Sequence, residues 1–115
     1  MEYEEPTLIE RKDAEVELAS GNWEKISMAL LRLSLHDSDP KWLEATLLPY
    51  LRHDHYWVRG VAAMCLGHVA RLHGTLDLDT VIPAIRELLD DEARETRGKA
   101  LDALDDIEIF MQRSE

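Results

Sequence analysis

The sequence is poor in the residues that mark several classes of protein. Its 115 residues contain one cysteine, four prolines and five glycines. A lone cysteine, Cys65, excludes an intrachain disulfide framework and a zinc site built from clustered cysteines. Sparse glycine and proline argue against a loop-rich β-sandwich. Apolar runs stay well below the roughly 18 residues that a membrane-spanning helix needs. What remains is one small domain, long enough to bury a core.

Positive charge is also scarce, because 13 lysines and arginines stand against 24 aspartates and glutamates, for a net charge of −11. Such a field repels phosphates and anionic lipids and attracts basic partners. The N-terminal MEYEEPTLIE has neither the basic nor the apolar segment of a signal peptide. We therefore expect a soluble cytoplasmic protein that binds neither nucleic acid nor membranes. Its oligomeric state stays open.

Apolar residues recur at helical spacing along nearly the whole chain, and no segment alternates as a strand would. The clearest stripe starts at Val58, in a predicted helix capped by Asp54. A Ser-Asp-Pro signal at 38–40 and a capping box from Thr7 to Glu10 predict two other helix starts. Six helices are predicted, paired into three hairpins that cover about 7–37, 39–73 and 77–112.

The second and third predicted hairpins repeat each other with a shift of 38 residues. The dipeptide Arg59-Gly60 returns as Arg97-Gly98, and Leu66 returns as Leu104. A fainter copy, shifted by 35 residues, covers the first hairpin. One hairpin cannot cover its own apolar face, whereas stacked hairpins share a core. The repeat therefore predicts hairpins stacked side by side.

These repeats resemble the HEAT-repeat family. In that family a proline in the first helix precedes an aspartate by eight residues, and an aliphatic–arginine pair opens the second helix. Pro83, Asp91 and Arg97 match in the third hairpin, with a threonine as the aliphatic residue, whereas the second hairpin keeps only Val58-Arg59. The resemblance implies an all-α fold, a short right-handed α-α superhelix of about three HEAT-like hairpins with six helices. It also implies a structural ladder of hydrogen bonds between repeats, formed by Asp91, Arg59 and Arg97.

The sequence offers little that predicts catalysis. The run His53-Asp54-His55 could suggest a metal site, but imidazoles two residues apart point in different directions and no third ligand follows at i+4. We interpret the run as a helix cap between two exposed imidazoles. Cys65 lies in an apolar stripe, which indicates a buried, inert thiol. Phosphate-binding loops and hydrolase motifs are missing from the sequence. We expect no enzyme, metal or cofactor.

Comparison of the two clear repeats predicts an exposed aromatic surface. Where the third hairpin has Ala-Arg-Glu, the second has His-Tyr-Trp, which ends in Tyr56 and Trp57, and Met64 stands where the third has an aspartate. Polar counterparts indicate exposed positions, and exposed aromatics are typical of binding hot spots. The alternative, that Trp57 simply packs on the neighbouring hairpin, stays open. We expect Trp23 and Trp42 to pack in the core or between repeats.

Second helices of stacked hairpins line one surface, so the last helix should bring its acidic residues beside those aromatics. Acidic and aromatic side chains together suit a basic protein partner. The candidate partner-binding residues are Tyr56, Trp57, Met64, Glu95, Asp102, Asp105 and Asp106.

A small, acidic, non-catalytic helical protein resembles in type the bacterial immunity proteins, which neutralise a toxin. The sequence thus favours a protein-binding module, an inhibitor of a basic partner such as a nuclease toxin. A HEAT-repeat adaptor, or an accessory subunit of an enzyme such as a lyase, remains the alternative.

Overall fold

The structure, a computed structural model, describes residues 5–111. Within that range the chain forms six α-helices and no strand, which confirms the predicted all-α fold class. None of these helices is both long and apolar enough to cross a membrane. Two short 3-10 turns, Leu48–Arg52 and Glu87–Asp90, follow α3 and α5. The helices are α1 (Arg11–Leu18), α2 (Trp23–His36), α3 (Pro40–Leu47), α4 (Tyr56–His73), α5 (Leu78–Arg86) and α6 (Arg94–Phe110).

Local signals explain most helix ends. The Asn22 side chain accepts hydrogen bonds from backbone N–H groups in the first turn of α2. Gly74 ends α4 in the left-handed conformation, with φ +65°. Two predicted caps are wrong. The helix α1 begins at Arg11 after Glu10, which makes no side-chain cap, so the box from Thr7 does not form. The cap of α4 is His55 rather than Asp54.

The helices form two layers. The helices α2, α4 and α6 pack side by side with α4 in the middle, and α1, α3 and α5 pack on their respective partners. This is the arrangement of stacked hairpins that the repeats predict. The expected end of the third hairpin at residue 112 lies outside the described residues.

The core is centred on α4. From Val58 to Ala70 most of its side chains are buried, because neighbours cover it on three sides. Trp42 packs partly buried against this core, with the Arg11 guanidinium 3.9 Å from its ring centroid. Trp23 packs between repeats as expected, because its ring stacks on His55 of the second hairpin, although 38% of the residue stays exposed. It is the first residue of α2 and therefore lies at the end of the buried stripe.

Glycine and threonine bring α4 and α6 together. A Cβ atom added at Gly60 would lie 2.9 Å from Cδ of Lys99 and 3.4 Å from the Thr96 Cα, whereas one at Gly98 would meet nothing within 4 Å. The buried Thr96 hydroxyl donates to the Tyr56 carbonyl oxygen at 2.9 Å. The first turns of the two helices are thus held in close contact.

Arg59 links the second and third hairpins. Its Nε and Nη2 donate to the Asp91 carboxylate at 2.7 and 3.0 Å, and its Nη1 donates to the carbonyl oxygens of His53 and Asp54. The guanidinium holds the pKa of the Asp91 carboxyl below its usual value. Arg97 differs, because it donates to the carbonyl oxygens of residues 91 and 92 within its own hairpin. Of the three predicted ladder residues, Arg59 and Asp91 therefore form the pair between repeats, and it is far less exposed than the pair of Arg52 with Glu87.

Asp91→Asn removes this carboxylate, and we expect it to lower the free energy of unfolding at neutral pH by about 2 kcal/mol. Because the folded pKa is depressed, the pair stabilises the fold above the ordinary aspartate pKa of about 4, and that contribution is lost as the pH falls through the lowered value. Urea unfolding should therefore show the difference between the two chains shrinking at acid pH. The control is Asp90→Asn, at an exposed neighbouring position; equal losses in both variants would contradict the assignment.

The two glycines of the repeated Arg-Gly dipeptide make a second test. Gly98→Ala should raise the free energy of unfolding by about 0.5–1 kcal/mol, because alanine favours a helix and the site is open. Gly60→Ala should raise the free energy of unfolding clearly less, because the added methyl group must displace the aliphatic part of the Lys99 side chain. Thermal and urea unfolding of both variants measure the difference, and equal gains would refute close α4–α6 packing.

Candidate functional site

Four rings gather where the first turns of α2 and α4 meet. The Trp23 ring stacks on the His55 imidazole with centroids 4.4 Å apart, and Trp57 approaches Trp23 edge-on at 6.4 Å. Tyr56, 38% exposed, also stacks on His55, with centroids 4.9 Å apart. We call Trp23, His55, Tyr56 and Trp57 the aromatic cluster. Lys99 of α6 places its Nζ 4.0 Å from the Trp57 centroid, within cation–π range.

The imidazoles shape this cluster. The backbone N–H of Trp57 donates to Nδ1 of His55 at 3.1 Å, and the N–H of His55 donates to Nδ1 of His53 at 3.0 Å. A backbone N–H can only donate, so each Nδ1 is the unprotonated acceptor. Both imidazoles are partly buried, whereas the sequence predicts exposed ones. Within residues 5–111 no three histidine, cysteine, aspartate or glutamate side chains are grouped to hold a metal ion.

A groove with a volume of about 350 Å³ runs beside the cluster, between α2 and α4. A larger hollow of about 480 Å³, between Pro40 and Asp77, is lined mainly by polar and charged residues. The groove instead has an apolar floor between two tryptophans, with charge at its rim. Its lining consists of Trp23, Glu24, Ser27, Met28, Leu31, Trp57, Val61, Met64 and Lys99.

The structure brings most, though not all, of the candidate residues to one surface. Trp57 and Met64 line the groove, and Tyr56 belongs to the adjoining cluster. On α6, Glu95 and Asp102 are exposed and stand four residues before and three residues after Lys99, on the same helical face.

The last two candidate acids lie on different sides of α6. Asp106 faces α4, since its carboxylate would lie 3.3 Å from a Cβ atom at Gly67. Asp105 is one residue earlier, about 100° around the helix, and lies in a hollow with Leu78 and Ile82 of α5. Asp105 is thus separated from the aromatic surface.

Several lining residues were not among the sequence candidates, and Trp23, Ser27 and Lys99 are the most important of them. The sequence predicts that Trp23 packs in the core or between repeats, and Ser27 is a small residue within a buried stripe. Lys99 is a single cation on an acidic helix, and its spacing from Glu95 and Asp102 could have placed it on their face.

Two further reactive side chains, Cys65 and His68, belong to α4. Cys65 is fully buried, and burial raises the pKa of its thiol to about 12. The pKa of the partly buried His68 is lowered, mainly by desolvation and also by Arg71, and its Nδ1 lies 3.4 Å from the hydroxyl of the buried Ser34. Cys65 is thus enclosed between the helices, whereas His68 is only partly covered.

The thiol gives a direct check. At a mildly alkaline pH we expect a thiol-specific disulfide reagent to leave the folded chain unlabelled, because burial keeps Cys65 protonated and inaccessible. Labelling should go to completion once urea unfolds the chain, with absorbance of the released thiolate as the readout. Fast labelling of the folded chain would show an accessible nucleophile.

Comparisons with known proteins agree with this architecture. The chain is similar to a chain in the crystal structure of a CDI complex from Cupriavidus taiwanensis LMG 19424, with 32% sequence identity and a TM-score of 0.81. The match covers 96% of this chain and 97% of that chain. No curated protein matches. The family described as HEAT repeats matches residues 43–108, more than half of the sequence. The chain belongs to the HEAT-repeat family.

Proposed function

We propose that the chain is a non-catalytic protein-binding module of the immunity type, which binds and neutralises a toxin in the cytoplasm. The observation that carries the proposal is the end-to-end similarity to a chain of a CDI, or contact-dependent inhibition, complex. We infer that such a complex pairs a toxin with the protein that blocks it. The enclosed thiol and the imidazoles used in the α4 cap favour the blocking role over the toxic one.

The charge of the chain supports a basic partner such as a nuclease. A nuclease cleft must attract phosphates and is therefore positively charged. A chain of net charge −11 is attracted to such a cleft over long range and can occupy it in place of nucleic acid. Association of this kind is fast at low ionic strength and weakens as salt screens the charges.

The proposed interface is the face of α2, α4 and α6 that carries the aromatic cluster and the groove. It combines the exposed rings of the aromatic cluster with the carboxylates of Glu95, Asp102 and Asp106. Trp57 is the proposed anchor, because it lies between Trp23 and the Lys99 ammonium with its ring already held in place. Asp105, on the other side of α6, contributes to the long-range field rather than to direct contact.

The test begins with the gene beside that of this chain, which we expect to encode a toxin domain. Co-production of the two in bacterial cells should restore growth, and calorimetry should give a dissociation constant that rises steeply with salt. Trp57→Ala should weaken binding by about 2 kcal/mol, roughly 30-fold, because it removes a central aromatic anchor.

Leu101→Ala, at an exposed apolar position elsewhere on α6, is the matched control and should bind as the natural chain does. Circular dichroism checks that both variants remain folded. A loss below about 0.5 kcal/mol for folded Trp57→Ala would remove this residue from the interface. Growth inhibition that persists despite co-production would refute the immunity function itself.

A further inference from the structure

One residue that lines the groove, Ser27, has a buried hydroxyl without a partner. Ser27 is only 7% exposed, and among the described residues its Oγ is the buried side-chain oxygen or nitrogen that makes no hydrogen bond. Ser34, on the same helix, donates instead to the Leu31 carbonyl oxygen at 3.0 Å. An unpaired buried hydroxyl costs free energy that a hydrogen-bonding group placed in the groove would recover.

The surroundings of Ser27 select the group that fits. The groove is lined by the thioethers of Met28 and Met64 and by two tryptophan rings, Trp23 and Trp57. Sulfur and aromatic surfaces both make favourable contacts with a further ring. Its volume of about 350 Å³ lies at the small end of ligand cavities, which is room for one large side chain.

The charges around the groove indicate which residues should flank that side chain in the partner's sequence. Glu24 lies in the lining, and Glu95 and Asp102 follow on the face of α6 that carries Lys99. Three carboxylates against one ammonium favour cations next to the inserted ring.

From these features we propose that the groove binds a tyrosine-like side chain of the partner, whose phenol pairs with Ser27 and whose neighbours in sequence are basic. The inference deepens the proposed function, because it assigns the toxin an aromatic anchor within a basic segment. A serine hydroxyl both donates and accepts, so it can pair with a phenol in either direction.

The test uses small probes in place of the toxin. With the methionine methyl groups labelled with carbon-13, p-cresol should bind in the millimolar range and shift the Met28 and Met64 signals while leaving Met111, on the far side of α6, unchanged. Toluene, which lacks the hydroxyl, should bind about three- to tenfold more weakly.

Ser27→Ala should remove this difference: p-cresol should fall to the affinity of toluene, while toluene should bind as before and thereby show that the groove is intact. Ser38→Ala, at an exposed position, is the control and should keep the preference. Equal affinities of the two probes for the natural chain, or an undiminished preference in Ser27→Ala, would overturn the assignment.

A second pair of probes tests the charge. Tyramine should bind more tightly than 3-(4-hydroxyphenyl)propanoate, and the gap should narrow as salt rises. Tighter binding of the anion would overturn the basic segment. Both tests are independent of the toxin. If toxin binding persists without probe binding, the groove assignment alone is wrong; if the toxin does not bind while the probes do, the groove stands and the proposed function is wrong.

Discussion

The central constraint on this molecule is the enclosure of α4. With α2 on one side, α6 on the other and α3 behind, α4 between Trp57 and Ala70 keeps only a narrow strip of surface, on which Trp57, Met64 and His68 are partly exposed. Close contact with α6 depends on Gly60 and Gly67, where a side chain would meet Lys99 or Asp106. Because the helix cannot rotate in this packing, the few side chains on the strip have set positions.

The N-terminal turn of α4 is held from three directions. Arg59 joins it to the carboxylate of Asp91, Thr96 binds the Tyr56 carbonyl oxygen, and His55 accepts the Trp57 N–H. Rings on a tethered turn lose little conformational freedom when they bind a partner. The structural hydrogen bonds between repeats thus also prepare the aromatic cluster for recognition.

The fold was predictable because helical periodicity and a shift of 38 residues report buried faces directly. The candidate site was predictable only in part. Periodicity says that Asp105 and Asp106 lie about 100° apart on a helix, but it does not say which side of α6 meets α4 and which meets α5. The exposure of Trp23 likewise depends on how the end of α2 meets the α4 cap, a contact between residues that no repeat relates.

On this surface the charges attract a partner, whereas the shape of the groove orients it. The acidic residues are spread over both sides of α6, so their field attracts a cation from many directions without orienting it. Orientation requires a short-range feature, and the groove supplies one through two tryptophans, two methionines and an unpaired hydroxyl. Lys99 is the one cation in that lining, and its ammonium over Trp57 would repel a basic group at the centre. A basic segment would therefore meet the carboxylates at the edge while an uncharged ring enters the groove.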